Sequence, residues 1–151
     1  MNYKIVTLNE KIIVGKSIIT TNENGKSMKD IGYMWQHFIG EGVCDSIKNK
    51  ITGKGIGLYT DYEGDATMPY RFMCGTEVSK SDNPNLETRI IDGGKYAKFT
   101  VNGDIMNAVG KAWQEIWSLD LDRKFSSDFE LYHNDSEDMN NQTIDIYISI
   151  N

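Results

Sequence analysis

The stretches FELY at residues 129–132 and TIDIYISI at residues 143–150 alternate polar and apolar side chains, and this alternation decides the fold. Successive side chains of a β-strand point to opposite faces. Isoleucine occupies every second position of the last stretch, so that face is expected to pack into a helix-covered core. Asp145 and Tyr147 are expected on the other face. The pattern therefore predicts two strands of one sheet whose two faces differ in chemistry.

The face away from the core is predicted to collect aromatic and acidic side chains. If the apolar residues of FELY face the core, Glu130 and Tyr132 point away from it. A short strand predicted at residues 56–61 contributes Tyr59 by the same argument. Together with the acid and the tyrosine of the last strand, these residues would place aromatic rings beside carboxylates.

Two interpretations of this face stay open. Tyrosines and acids both suit an ordinary solvent-exposed sheet face. A concave aromatic face would instead bind flat or apolar ligands, and its carboxylates would select a cation, with a cation–π attraction of about 0.5–2 kcal/mol per contact. If Glu130 were buried, its pKa would rise and it could act as a general acid or base.

Two amphipathic helices are predicted from apolar residues at helical spacing over residues 28–39 and 105–117. Trp35 and Trp113 lie in these stripes, and each is followed by glutamine. Trp117 follows one turn after Trp113. All three tryptophans are first of all candidates for the core, but a tryptophan at the edge of a sheet can also form the wall of a pocket.

The order strand, helix, short strand, acidic loop and longer strand occurs once before residue 80 and again after residue 86. This repeat predicts one domain over residues 1–151, built from half-modules at about residues 1–80 and 86–151. Neither half has enough sheet to bury both of its faces alone, so the two are expected to join. The predicted fold is α+β, a duplicated βαββ module that forms one antiparallel sheet with two helices packed on one face.

Two local features of the chain path are also predicted. Residues 3–21 are expected to form a strand with a break or bulge near Asn9 and Glu10 and at Gly15. Residues 86–91 and 95–101 are expected to pair as a hairpin, because a tight Asp-Gly-Gly turn joins them.

The composition argues against several classes of function. The chain has 151 residues, 39% of them hydrophobic, and a formal net charge of -6. An acidic surface without a Lys/Arg cluster argues against nucleic-acid binding. A membrane span needs about 20 apolar residues, and no apolar stretch of the chain approaches this length. The N-terminus also lacks the apolar core of a signal peptide. We therefore predict a cytoplasmic protein without membrane contact. Cys44 and Cys74 lack zinc-ligand spacing, and neither a metal nor another cofactor is predicted.

Four stretches in this order carry a resemblance to a known family: GLYTDYEGD at 57–65, GGKYAKFTVNG at 93–103, AWQEIWSL at 112–119, and the FELY and IDIYISI strands. The chain resembles the gyrase-inhibitor-like (GyrI-like) family, also called the bacterial transcription-activator effector-binding domain. The resemblance spans nearly the whole chain. It implies a duplicated βαββ module with a curved sheet and a ligand groove at the pseudo-twofold axis.

The resemblance also implies a function for particular residues. Members of the family bind small, often lipophilic and cationic molecules, and their characteristic pocket glutamate falls on Glu130. The other positions that match the pocket of the family are Tyr59, Trp113, Trp117, Asp145 and Tyr147. Tyr132, from the strand alternation, and Trp35 are further candidates. Two departures are Ser149, where the family has proline, and Asp145, which is one methylene shorter than the glutamate of the family.

Three functional hypotheses follow from the residues and the resemblance. The first is a stand-alone protein, without a DNA-binding domain, that binds or senses a lipophilic cation as a monomer or weak dimer. The second is a metal-independent hydrolase in which Glu130 activates water against strained electrophiles, such as the cyclopropane-bearing alkylating toxins that some relatives hydrolyse. The third is an interaction protein that inhibits a topoisomerase.

Overall fold

The structure is a computed structural model that describes residues 1–151, apart from the side chain of Met106. The strands are β1 (Lys4–Leu8), β2 (Lys11–Thr20), β3 (Gly55–Thr60), β4 (Tyr70–Val78), β5 (Glu87–Ile91), β6 (Gly94–Gly103), β7 (Ser127–Tyr132) and β8 (Gln142–Ser149). The helices are α1 (Lys26–Gly40), the short α2 (Val43–Ser46) and α3 (Ile105–Ser118). The long helices and the strands lie where the sequence periodicity predicts them, and α2 is an addition.

All eight strands form one antiparallel sheet in the order β1-β6-β8-β7-β3-β4-β2-β5. This order is symmetric about the central β7–β3 pair, since β8, β6 and β1 on one side correspond to β4, β2 and β5 on the other. The predicted α+β fold, with one curved antiparallel sheet, is confirmed. The two half-modules of the chain remain a prediction.

Two short connections join strands that lie at opposite ends of the sheet. Asn9 and Glu10 separate β1 from β2, while Asp92 and Gly93 separate β5 from β6. A link of this length spans only about 10 Å, because an extended chain rises ~3.3–3.6 Å per residue. The sheet therefore has to curl until its two ends come close together.

The predicted break near Asn9 and Glu10 is confirmed. The predicted break or bulge at Gly15 is wrong, because β2 runs unbroken through Gly15, which pairs with Gly75 of β4 and Glu87 of β5. The predicted hairpin between β5 and β6 is also wrong. β5 pairs with β2, and β6 pairs with β1 and β8. The tight turn at residues 92–94 carries the chain from one end of the curled sheet to the other instead of folding it back on its neighbour. Local turn chemistry signals the change of direction but does not determine the pairing partner.

Both faces of the sheet are buried. The face that α1 and α3 cover carries the larger core, which includes Val14, Met34, Phe38, Phe72, Phe99, Ile116, Ile144, Ile146 and Ile148. The curled sheet encloses a second core on its other face, here called the inner core. It consists of Ile13, Ile56, Leu58, Met73, Ile91, Tyr96, Phe129 and Tyr147, with Val6, Leu8 and Leu131 packed around them.

The two long helices lie on the flanks of the sheet. α1 contacts β2 and β4, and α3 contacts β6 and β8, so the central strands β3 and β7 lie between them. The Asp104 side chain caps α3 by accepting a hydrogen bond from the backbone N–H of Asn107 at 2.8 Å. Among the helices that the structure describes, none is long and apolar enough to cross a lipid bilayer.

Candidate functional site

Glu130 lies in the middle of β7, one of the two central strands. Its partners across the sheet are Gly57 of β3 and Ile146 of β8. Ile146 belongs to the core beneath the helices, so the Glu130 side chain points to the same face. Only 1% of Glu130 is exposed, which places a carboxylate between α1 and α3 almost without contact with solvent.

Three neutral groups donate hydrogen bonds to the Glu130 carboxylate. The Tyr59 hydroxyl donates to Oε2 at 2.7 Å, and the Trp113 indole Nε1–H donates to the same oxygen at 2.6 Å. The Tyr132 hydroxyl donates to Oε1 at 2.7 Å. The three donors come from β3, α3 and β7, so the carboxylate connects both central strands with one helix.

No Lys, Arg or His in the described part of the chain forms an ion pair with Glu130. Burial raises the pKa of Glu130, and the three hydrogen bonds offset part of that rise. Burial beside this carboxylate also raises the pKa of the Tyr59 and Tyr132 hydroxyls well above their ordinary value. Both tyrosines therefore stay protonated donors at neutral pH.

Gly57 makes room for the carboxylate. A Cβ atom at position 57 would lie 2.9 Å from Glu130 Oε1 and 3.2 Å from the Phe72 ring. Any side chain at this position would displace the carboxylate or the ring. Gly57 was not among the predicted site residues, although a glycine inside a strand commonly marks such a close approach.

Aromatic rings surround the carboxylate on this face. The ring centroid of Tyr59 lies 5.0 Å from that of Trp113 and 5.0 Å from that of Phe72. Trp35 approaches from the α1 flank, with its ring centroid 5.1 Å from that of Tyr132. Each long helix thus directs one tryptophan toward the central strands, and flat apolar surfaces lie beside a negative charge.

Trp117 lies at the rim of this ring cluster. It follows Trp113 by one turn of α3, and their ring centroids are 6.3 Å apart. Trp117 is 52% exposed, whereas Trp113 is only 8% exposed. Of the three predicted tryptophans, Trp113 contacts the carboxylate directly, Trp35 is half-buried beside it, and Trp117 offers its ring to the outside.

The prediction that five polar and aromatic side chains share the face away from the helices is wrong. Glu130, Tyr59 and Tyr132 do lie together, but they face α1 and α3. Tyr147 pairs with Phe129, and their rings stack in the inner core with centroids 4.5 Å apart. The prediction assumed one core, whereas apolar side chains fill both faces of this curled sheet.

Asp145 points to the same side as the inner core and has partners of its own. It accepts a hydrogen bond from Thr100 Oγ1 at 2.6 Å, and one carboxylate oxygen lies 2.6 Å from His133 Nε2. Burial alone would raise the pKa of Asp145, but the hydrogen bonds to Thr100 and His133 and the charge of Lys98 lower it below its ordinary value. The structure does not bring Asp145 or Tyr147 to Glu130.

Asp128, which was not a predicted site residue, is the other buried carboxylate of β7. Its exposure is 0%, and it forms an ion pair with Arg123 Nη2 at 2.7 Å. It also accepts hydrogen bonds from the Tyr62 hydroxyl at 2.6 Å and from the backbone N–H of Ser149 at 2.8 Å. Asp128 thus has a cationic partner within the chain, unlike Glu130.

A family model described as Cass2, integron-associated effector binding protein, matches residues 4–150. The chain belongs to this family. The match confirms the resemblance to effector-binding domains of the gyrase-inhibitor-like type, and it covers all eight strands and both long helices. Binding of a small-molecule effector is the function that this family membership supports.

Individual relatives agree with the family match. The chain is 30% identical over 103 residues to YobU of Bacillus subtilis (strain 168), a protein assigned as a transcriptional regulator. This alignment covers 63% of the chain and 62% of YobU, so less than two thirds of that relative is matched.

Three solved structures share the fold. An integron cassette protein of Vibrio cholerae has a TM-score of 0.78 at 24% identity, over 99% of this chain and 95% of that one. SAV2435, solved bound to tetraphenylphosphonium, has a TM-score of 0.83 at 20% identity, over 100% and 94%. The C-terminal domain of EcmrR has a TM-score of 0.56 at 19% identity, over 100% and 99%.

Proposed function

We propose that this protein binds a lipophilic organic cation as its effector, with the charge of the cation held by Glu130. The observation that carries the proposal is the state of that carboxylate: it is 1% exposed and is satisfied by three neutral donors. Burial raises the pKa of this carboxyl, so the folded chain by itself does not fully stabilise its negative charge. A cationic ligand would supply the missing partner.

A glutamate at position 130 carries a charge that a glutamine at this position would not carry. Hydrogen bonds to a charged group contribute about 1.5–3 kcal/mol each, but burying an uncompensated ion costs several kcal/mol. A glutamine would fill the same space without that charge: its oxygen could accept from Tyr59 and Trp113, and its NH2 group could donate to the Tyr132 hydroxyl. The carboxylate is therefore poorly explained as a purely structural hydrogen-bond acceptor, whereas selection of a cation requires its charge.

The surrounding rings fit the apolar part of such a ligand. Tyr59, Trp113 and Trp35 lie around the carboxylate, and each contact between a ring face and a cation contributes about 0.5–2 kcal/mol. Trp117 extends the aromatic surface to the exterior. The effector-binding family and the ligand in the SAV2435 structure support the same class of molecule.

A pair of ions with the same shape and opposite charge tests the proposal. Isothermal titration with tetraphenylphosphonium and with tetraphenylborate should give binding of the cation alone. Glu130→Gln should weaken tetraphenylphosphonium binding at least about tenfold, which corresponds to about 1.4 kcal/mol. Equal binding of both ions would show that Glu130 does not select charge, and no binding of the cation would reject this ligand class.

The raised pKa of Glu130 also favours a second candidate, a hydrolase in which this residue transfers a proton. Incubation with a cyclopropane-bearing alkylating compound, followed by chromatography of the products, distinguishes the two. Product that accumulates beyond one equivalent and disappears with Glu130→Gln would favour catalysis. Binding of the compound in a fixed stoichiometry, without formation of product, would favour the effector-binding proposal.

A further inference from the structure

We infer that Gly32 of α1 and Gly110 of α3 form the two sides of the opening to the Glu130 site and set the width of the cation that enters. This inference rests on the proposed function, because it concerns the same ligand. It assigns a role in specificity to two residues that touch neither the carboxylate nor its hydrogen-bond donors.

The two helices face each other across the central strands. α1 lies over β2 and β4, α3 lies over β6 and β8, and Trp35 and Trp113 both reach inward to residues of β3 and β7. The direction of each tryptophan therefore marks the side of its helix that faces the centre of the sheet.

Both glycines lie on these inward-facing sides. With 3.6 residues per turn, a residue three positions before another is rotated by about 60° around the helix axis. Gly32 precedes Trp35 by this spacing, and Gly110 precedes Trp113 by the same spacing, within Gly-x-x-Trp-Gln in both helices. The symmetric sheet order thus places one glycine on each side of the same space.

Neither glycine is required by the packing of the fold. A Cβ atom at Gly32 or Gly110 would have no atom within 4 Å, and both positions are exposed. Their φ angles are not positive, so the backbone does not need glycine either. Glycine inside a helix is less favourable than alanine. What glycine provides at these two positions is open space beside each helix.

The rim of the opening is apolar. Met28 and Ile39 lie within about 40° of Trp35 around α1, and Trp117 is displaced by about the same angle from Trp113 around α3. Their exposed fractions are 81%, 70% and 52%. A rim of this kind matches a cation that carries several aryl groups, with its charge at Glu130 and its rings between the two helices.

A graded series of phosphonium ions tests the inference: tetraphenyl-, methyltriphenyl-, dimethyldiphenyl- and trimethylphenylphosphonium. Affinities are measured by titration for the wild type, Gly32→Leu, Gly110→Leu and both alanine variants. The matched control is Gly40→Leu. Gly40 is also exposed with no atom within 4 Å of a Cβ, but it is rotated by about 140° from Trp35 on the same helix.

The leucine variants at positions 32 and 110 should lose tetraphenylphosphonium affinity at least tenfold and retain trimethylphenylphosphonium affinity within threefold, while Gly40→Leu behaves as wild type. The alanine variants should lose affinity for the ions in the same order but by a smaller factor. Their melting temperatures should not fall below that of the wild type. An unchanged ranking of the four ions in both leucine variants would overturn the inference while the proposed function stands. A wild type that binds none of the ions would overturn both.

Discussion

Asp128 and Glu130 lie two residues apart on β7, point to the same face and are both buried, yet only Asp128 has a cation of the protein as its partner. Arg123 lies 2.7 Å from Asp128, whereas Glu130 receives hydrogen bonds from neutral tyrosine and tryptophan side chains. One strand therefore carries a carboxylate that is neutralised within the fold beside one that is not. The two positions make a matched pair for mutagenesis.

Asp128→Asn should destabilise the fold more than Glu130→Gln does. Removing the charge of Asp128 leaves Arg123 largely buried without a counter-charge, and breaking a buried ion pair costs about 3–5 kcal/mol. Removing the charge of Glu130 leaves no unpaired cation behind. Urea unfolding of both variants at neutral pH checks this order. A larger loss for Glu130→Gln would show that its negative charge stabilises the fold.

The stability of Glu130→Gln relative to the wild type should increase as the pH rises. Burial raises the folded-state pKa of Glu130 above its ordinary value of 4.5. Below pH 4.5 the group is protonated in both states and imposes no penalty. Above it the unfolded chain ionises first, so the wild type loses stability until the pH passes the folded-state pKa, at up to about 1.4 kcal/mol per unit of pKa difference.

Unfolding free energies of the wild type and Glu130→Gln between pH 4 and pH 8 measure this effect. The difference between the two proteins is the relevant quantity, because the other acids titrate alike in both. A difference that stays constant with pH would show that the Glu130 carboxylate ionises equally easily in the folded and the unfolded chain.

Tetraphenylphosphonium binding should strengthen as the pH rises through the pKa of Glu130 and then level off. The probe does not titrate, so the pH dependence reports on the protein. The ionised carboxylate attracts the cation, while the protonated one does not, and binding therefore displaces the proton. In Glu130→Gln the affinity should be independent of pH over this window. A dependence that persists in the variant would assign it to another group.

Gly57→Ala should lower the free energy of unfolding by about 1–3 kcal/mol, the usual cost of overpacking. The added Cβ would lie 2.9 Å from Glu130 Oε1. Gly55→Ala is the matched control, because it lies two residues earlier on the same face of β3 and its Cβ would meet the Trp35 ring at an ordinary 3.5 Å. Thermal and urea unfolding compare the two variants, and equal effects would contradict the role of Gly57.

Trp117→Ala should weaken tetraphenylphosphonium binding about threefold to tenfold and change the stability by less than about 1 kcal/mol. The ring is 52% exposed, so little packing is lost, whereas one contact between this partly exposed ring and the cation contributes about 0.7–1.4 kcal/mol. Met139→Ala provides a surface control, because Met139 is 61% exposed and lies in the loop between β7 and β8. Unchanged affinity in Trp117→Ala would remove this residue from the site.

Element positions could be predicted from the sequence because they depend on neighbouring residues. The stripe over residues 105–117 and the alternation of residues 143–150 each describe one element, and both elements are found there. The face that Glu130 occupies could not be derived in this way. Phe129 and Ile146 are both apolar and fully buried, but they belong to cores on opposite sides of the sheet.

The site depends on pairings that no local pattern specifies. Glu130 lies beside Gly57 because β7 pairs with β3, and the Tyr59 donor is 71 residues away in sequence. The resemblance to the effector-binding family identified Glu130, yet it also led to Asp145 and Tyr147, which face the inner core. The sequence does not reveal which of the two carboxylates has a cationic partner. That partner is Arg123, which lies beside Asp128 in the folded chain.

The exchange of outer strands has a consequence for how the chain can be divided. β1 completes the sheet beside β6, and β5 completes it beside β2, so residues 1–80 and 86–151 each contribute the outermost strand of the other. Neither segment contains all of the strands that pair with its own. If the chain is cut between residues 80 and 86, each fragment exposes unpaired strand edges until it meets its complement, and Tyr59 donates to Glu130 only after the two fragments reassociate.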